Sequence, residues 1–324
     1  MGSDDRKRTR YDAAVATVSE PDSLLLPGHD VPLGRYSTVR RLLPQRPRRM
    51  VGAWCFVDLF GPDDVAGKPG MRVPPHPHTG LQTVTWLVAG EVLHRDSLGS
   101  QQTIVPGQLN LMTAGRGIAH SEESPPDHPP LSHGLQLWIA LPDVARQIAP
   151  GFAHHPAVPA VRTADGATVT VVVGELAGAR SPAVVHTPLL GAELRLAAGA
   201  GTQLPLQPDF EYAVLVMTGA VEVAGTSLTP GSLLYLGTGR SDLDLRAAGG
   251  PARLFLLGGE PFEEPLVMWW NFVGRSHEEI AQARADWQAG RRFGTVVGYQ
   301  GDPLPAPAMP TTRLKARDRH GHTY

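Results

Sequence analysis

Two short clusters in this sequence carry side chains that could hold a metal ion: His76-Pro77-His78 and, further along, His120-Ser121-Glu122. Side chains alternate along an extended strand, so His76 and His78 share one face, as do His120 and Glu122. Two neighbouring strands would then aim four donors at one point. Three neutral imidazoles and one carboxylate suit a first-row divalent ion and leave octahedral positions open for water, oxygen or substrate. The set with its ion keeps a net positive formal charge, which favours an anionic oxygen ligand. Alternation also selects Glu122 over Glu123, which is expected to point away.

The surrounding residues sort by the same reasoning. Pro77 cannot donate to a sheet ladder, so this stretch is expected at a strand start or an edge. Gly115, Arg116 and Gly117 read as a bend that re-aims the chain before His120. His94 and Asp96 read either as partners behind the ligands or as a structural turn. His133 and Gln136 are weaker candidates for the pocket lining. His128, in a proline-rich loop, and His320 and His322 near the end of the chain read as solvated. Arg46, Arg48 and Arg49 beside prolines read as a solvated turn rather than an anion site.

The elements that must position these donors are strands. A chain of 324 residues suggests two domains of roughly 150 residues each. Its 36 Gly and 31 Pro suit an all-β protein with many tight turns. Short β-branched runs are separated by Gly, Pro and Asp, the pattern of a sandwich or barrel. Two segments also echo each other. Thr83 to Val92 resembles Tyr212 to Val221, each with a glycine third from its end (Gly90, Gly219), and the turn at Pro106-Gly107 resembles that at Pro230-Gly231. Order and spacing are kept, so one small barrel occurs twice. The succession of strand, Gly turn, strand and Pro-Gly turn is the cupin pattern, a jelly roll whose mouth commonly holds a metal.

The expected organisation is an N-terminal arm over residues 1–30 and a metal-binding cupin barrel over 31–150. A metal-free cupin barrel over 151–300 and a tail over 301–324 follow, and the polar, Pro-rich composition of arm and tail reads as extended or mobile. One short helix is expected near 276–289, with Ser276 and Glu279 as a capping box and Ile280, Ala283, Arg284 and Trp287 at helical spacing. By linear offset, His76 and His78 correspond to Pro205 and Gln207 in the second copy, and His120 and Glu122 to Asp244 and Arg246. The second barrel therefore lacks the ligand set.

Composition excludes several function classes. The 29 Lys and Arg nearly balance the 31 Asp and Glu, so no global field draws the chain to nucleic acid or to an anionic membrane. The single cysteine, Cys55, sits in an apolar run and reads as core, which favours a reducing compartment. The first residues carry no apolar signal region and no run is long enough to span a membrane, so a cytoplasmic protein is expected.

At these residues the sequence resembles the pirin family of bicupins. The resemblance runs through Arg41-Leu42-Leu43-Pro44, His76-Pro77-His78-Thr79-Gly80 and His94-Arg95-Asp96-Ser97. It continues through Met112 to Glu122, His133 to Trp138, Gly258-Gly259-Glu260-Pro261 and Met268 to Arg275. Where the family usually has Asp before the paired histidines and Arg after them, this chain has Pro75 and Thr79, which alters the charge at the pocket mouth. The resemblance implies iron, Fe(II), on His76, His78, His120 and Glu122, with manganese, cobalt, nickel, copper or zinc as other divalent candidates. It implies two functions. One is quercetin 2,3-dioxygenase-type cleavage of a flavonol, a small aromatic substrate, with Glu122 as the catalytic base. The other is a non-catalytic, metal-dependent regulatory role on a protein partner, a transcription regulator or a metabolic enzyme.

Overall fold

The computed structural model describes residues 23–33 and 37–324, so most of the expected N-terminal arm lies outside the described residues. Each barrel has one seven-stranded and one four-stranded antiparallel sheet. In the first half the four-stranded sheet runs Arg72–His78, Ile118–Glu123, Val92–Asp96, Gln101–Ile104. In the second it runs Gly201–Pro205, Asp242–Ala247, Val221–Val223, Thr226–Leu228, the same order of strands place by place. The seven-stranded sheets centre on Leu131–Ala140 and Ala252–Gly259, flanked by Leu81–Ala89 and Trp54–Asp64 in one and Glu211–Thr218 and Leu189–Leu196 in the other. The protein is thus an all-β pair of tandem cupin barrels. The echoing turns need glycine for the same reason in both copies: Gly90 and Gly219, like Gly107 and Gly231, all have positive φ.

The two barrels are joined by a shared core. Trp54, Trp86, Leu137, Tyr235, Phe255 and Leu257 are buried in one cluster drawn from both large sheets. The indole Nε1 of Trp54 donates to the Leu190 carbonyl at 2.9 Å, and that of Trp86 to Glu193 Oε2 at 2.7 Å. Each fully buried Leu or Phe of this core contributes about 1.5–3 kcal/mol. Beside it, Glu211 accepts from the Gly52 amide at 2.6 Å and the Tyr235 hydroxyl at 2.8 Å, and pairs with Arg48 and Arg319. Gly52 has φ +52°, and a Cβ there would stand 2.7 Å from Gly259 Cα, so the crossing of the two barrels requires glycine.

Four expectations are corrected here. Arg48 is not solvated: it is 2 % exposed, with its guanidinium 3.8 Å over the Tyr235 ring and its charge met by Glu211. A buried carboxylate and an aromatic face replace the water that a surface turn would supply. The extended arm does not reach residue 30, because Leu24–Pro27 adds an edge strand to the second barrel and His29–Leu33 one to the first. The C-terminal tail is packed rather than loose. Leu304 donates its amide to Pro75 and accepts from Trp287 Nε1, both at 2.8 Å, while Arg317 bridges Leu266 and Arg319 reaches Glu211. The first barrel also runs past 150, since Gly151–His155 pairs with Leu109–Thr113.

The helix spans His277–Gln288 and is capped by Ser276, whose side chain accepts from the Glu279 amide at 3.2 Å. Its buried Ile280 and Ala283 pack with Phe272 and Phe293, and Trp287 leans on the same cluster. No helix among the described residues is long and apolar enough to cross a membrane.

Candidate metal centre

The strand Arg72–His78 pairs with Ile118–Glu123 so that His76 stands opposite His120 and His78 opposite Ile118. The register shifts between His120 and Glu122, and this bulge puts Glu122 opposite Val73 while keeping it buried. Donor atoms of His76, His78 and His120 all lie within 4.8 Å of one another, as do those of His94, His120 and Glu122. The structure therefore brings the four expected residues into two overlapping triads that share His120, with Glu122 on the His94 side.

Hydrogen bonds set how the rings present themselves. His76 Nδ1 donates to the Pro74 carbonyl at 2.8 Å and His78 Nδ1 to the Asn271 carbonyl at 3.1 Å, which leaves Nε2 of each ring with a bare lone pair. His78 Nε2 lies 3.1 Å from His120 Nε2. Two nitrogens bound at about 2.1 Å to one ion and at right angles stand about 3 Å apart, so this spacing fits a metal between them. Burial pushes His76 down to about 4 and holds His78 and His120 well below the usual imidazole range, reinforced by the neighbouring histidines. Neutral rings are what a metal needs. Burial pushes the Glu122 carboxyl up, opposed by His94 and by the Thr85 hydroxyl, which donates to Oε1 at 3.0 Å. Thr85 Oγ1 is also 3.0 Å from Gln136 Oε1.

The donors open on a cavity of about 380 Å³. One wall is a stack: Phe56 and Trp138 lie 4.0 Å apart at 12°, with Arg41 4.3 Å over the Phe56 ring. Arg41 donates twice to Asp58, at 2.9 and 2.8 Å, and burial raises the Asp58 carboxyl against the pull of that arginine. Trp138 also meets His78 edge-on at 5.0 Å. Trp270, Asn271 and Leu304 contribute from the C-terminal segments.

The remaining candidates fall as follows. Glu123 points out of the cavity and pairs with Arg72 and Arg95. Gln136 lines the cavity and His133 does not; His133 is buried elsewhere and burial pushes it down to about 4. His128 is half-buried, with its ring nitrogens 2.8 Å from the Pro129 carbonyl and 3.0 Å from the Lys68 carbonyl. His94 and Asp96 are buried next to His120. The cavity residues Phe56, Asp58, Trp138 and Leu304 were not expected as site residues; a lone acid, Asp58, inside the apolar run from Ala53 to Phe60 was the available signal.

At the matching place in the second barrel, Leu204 stands opposite Leu243 and Thr202 opposite Leu245, all buried. Pro205, Asp244 and Arg246 face outward. The linear offset was thus one residue out of phase, which reverses every side chain of a strand.

The chain is similar to known proteins over most of its length. The Pirin family model matches residues 36–139, and the Pirin C-terminal cupin domain matches 191–294. A Pseudomonas aeruginosa protein named as a candidate quercetin 2,3-dioxygenase is 50% identical over 279 residues, covering 86% of this chain and 88% of that relative. A pirin-like protein of Caulobacter vibrioides is 40% identical, over 80% of this chain and 90% of its own length. The crystal structure of quercetin 2,3-dioxygenase from Acinetobacter baumannii superposes with a TM-score of 0.87 at 43% identity, covering 91% of this chain and 97% of that one.

Proposed function

This chain belongs to the pirin family, and on that premise we propose that it holds one divalent ion, iron, on His76, His78, His120 and Glu122 and cleaves flavonols as a quercetin 2,3-dioxygenase does. The observation that carries the reading is the convergence of these donors on a cavity with a stacked aromatic wall. The volume of about 380 Å³ falls in the range of roughly 300–1,000 Å³ of small-molecule pockets. The names of the Pseudomonas and Acinetobacter relatives support the same substrate class.

An iron ion bound here supplies Lewis acidity and one-electron reactivity toward dioxygen. The protein's own groups do the rest. The Phe56 and Trp138 stack offers a flat face to a polycyclic aromatic ring. Glu122, made more basic by burial, accepts the proton of the flavonol 3-hydroxyl, and the Thr85 hydroxyl holds its carboxylate in place. Arg41 and Asp58 balance each other's charge on the wall, so the cavity presents hydrogen-bonding groups without an unpaired ion.

The test is to load the protein with Fe(II), add quercetin in air and follow the flavonol absorbance alongside metal content. Loss of absorbance that depends on bound iron supports the reading. If quercetin persists at full iron occupancy, catalysis is rejected, and the regulatory role with a protein partner takes its place. If the protein retains no ion, the metal site itself is rejected.

A further inference from the structure

We propose that Asp96 and His94 form a relay that locks His120 in the tautomer presenting its Nε2 to the metal, so that both are positioning residues and neither is a ligand. The inference rests on the metal site proposed above. His94 is 2 % and Asp96 1 % exposed, and neither lines the cavity. The strand Val92–Asp96 lies beside Ile118–Glu123, with Asp96 opposite His120 and His94 opposite Glu122.

The hydrogen bonds run in one direction. Asp96 Oδ1 accepts from the Leu98 amide at 2.9 Å and the Ser100 amide at 3.0 Å, which fixes the carboxylate. Its Oδ2 lies 3.1 Å from His94 Nε2, so that nitrogen carries the proton and donates. His94 Nδ1 is then a bare acceptor, and His120 Nδ1 stands 3.4 Å from it and donates. That leaves His120 Nε2 unprotonated, facing His78 Nε2. Phe152 stacks on the His94 ring at 4.3 Å and 12°, which holds the relay against rotation. Although donor atoms of His94, His120 and Glu122 lie together, both His94 nitrogens are already engaged, which argues against His94 as a ligand. A ligand histidine held through its second nitrogen by a carboxylate-backed partner gains basicity as well as orientation.

The relay makes a specific statement about Asp96→Asn. The two backbone amides would keep the Asn oxygen, turning its NH₂ toward His94. His94 would then need Nε2 bare and Nδ1 protonated, and His120 would be driven to carry its proton on Nε2, the wrong side for a metal. His94→Leu removes the acceptor, whereas His94→Asn keeps an oxygen close to the place of Nδ1.

Two measurements test this. In metal-free protein with ¹⁵N-labelled histidine, long-range proton–nitrogen correlation spectra read the tautomer of His120. The wild type and His94→Asn should carry the proton on Nδ1, and Asp96→Asn should move it to Nε2. In competition titrations with Fe(II) or Co(II), His94→Leu and Asp96→Asn should bind about 10- to 100-fold more weakly. His94→Asn should recover most of that loss. The relay is overturned if His120 keeps its tautomer in Asp96→Asn, or if His94→Asn loses as much affinity as His94→Leu, the result expected of a ligand. If the wild type binds no metal while the tautomers behave as stated, the metal reading fails and the relay stands.

Discussion

The two barrels share a strand order and nearly the same turns, yet one interior carries three histidines and a glutamate where the other carries Leu204, Leu243 and Leu245. The fold accommodates either filling, so chemistry here belongs to a side-chain set and not to the architecture. Burying ionisable groups is unfavourable unless they are neutral or bonded. The first barrel meets that condition through Pro74, Asn271, Thr85 and His94, each of which holds one of the four donors. At the matching place the second barrel avoids the problem with apolar packing of Leu204, Leu243 and Leu245.

The comparison breaks most directly at the ligands. Replacing His76 and His120 together by alanine should take bound metal from one equivalent per chain to none, with the protein still folded, because two barrel cores do not depend on an ion as a zinc finger does. Elemental analysis and a melting curve of the double variant read both halves; retained metal would place the site elsewhere. Glu122→Gln is the next largest: flavonol turnover should fall about 10²- to 10⁴-fold, further than iron occupancy does. Glu123→Gln should change neither, since its carboxylate lies between Arg72 and Arg95. Damage from Glu123→Gln instead would mean the strand phase is wrong.

In the second barrel the sign of the effect should change from function to stability. Leu245→Ala should cost about 2–5 kcal/mol by denaturant titration and leave metal content and turnover untouched. A loss of metal in that variant would show that the barrels are coupled through the shared core. The smallest effect is on acid sensitivity. In metal-free protein, burial holds His76 at about 4, against 6.5 for a free imidazole, and His78 and His120 are lowered too. Between those values the unfolded chain takes up protons that the folded barrel refuses, so stability should fall as pH drops from about 6.5 toward 4. Urea midpoints at pH 7 and 5 should show a shallower fall in the double alanine variant than in the wild type; equal slopes would mean these rings take up protons as readily folded as unfolded.

Much of this was legible in the sequence because it rests on local rules. The duplication showed in paired Gly and Pro-Gly turns, the helix in Ser276 and Glu279, and the separation of Glu122 from Glu123 in simple alternation. What was not legible depends on contacts distant in the chain. A linear offset cannot see that the second barrel's strand is one residue out of phase. Arg48 looks solvated until Glu211 arrives from the other barrel, and the tail looks loose until Pro75 and Trp287 bind Leu304. The cavity wall of Arg41, Phe56 and Asp58 comes from strands before the motif, and in the run from Ala53 to Phe60 only Asp58 departs from an apolar pattern.

The edge strand Leu24–Pro27, which pairs with Ser232–Gly237, has a consequence for the order of events during synthesis. Its partner emerges from the ribosome more than 200 residues later, and at about 5–20 residues per second that is a wait of roughly 10–40 s. The first barrel can close its own sheets in that interval, but Leu24, Leu25 and Leu26 must stay unpaired until the second barrel is nearly complete. Leu24–Pro27 therefore waits for its partner while the first barrel is made, and the seven-stranded sheet of the second barrel takes as its edge a strand synthesised before any strand of the first.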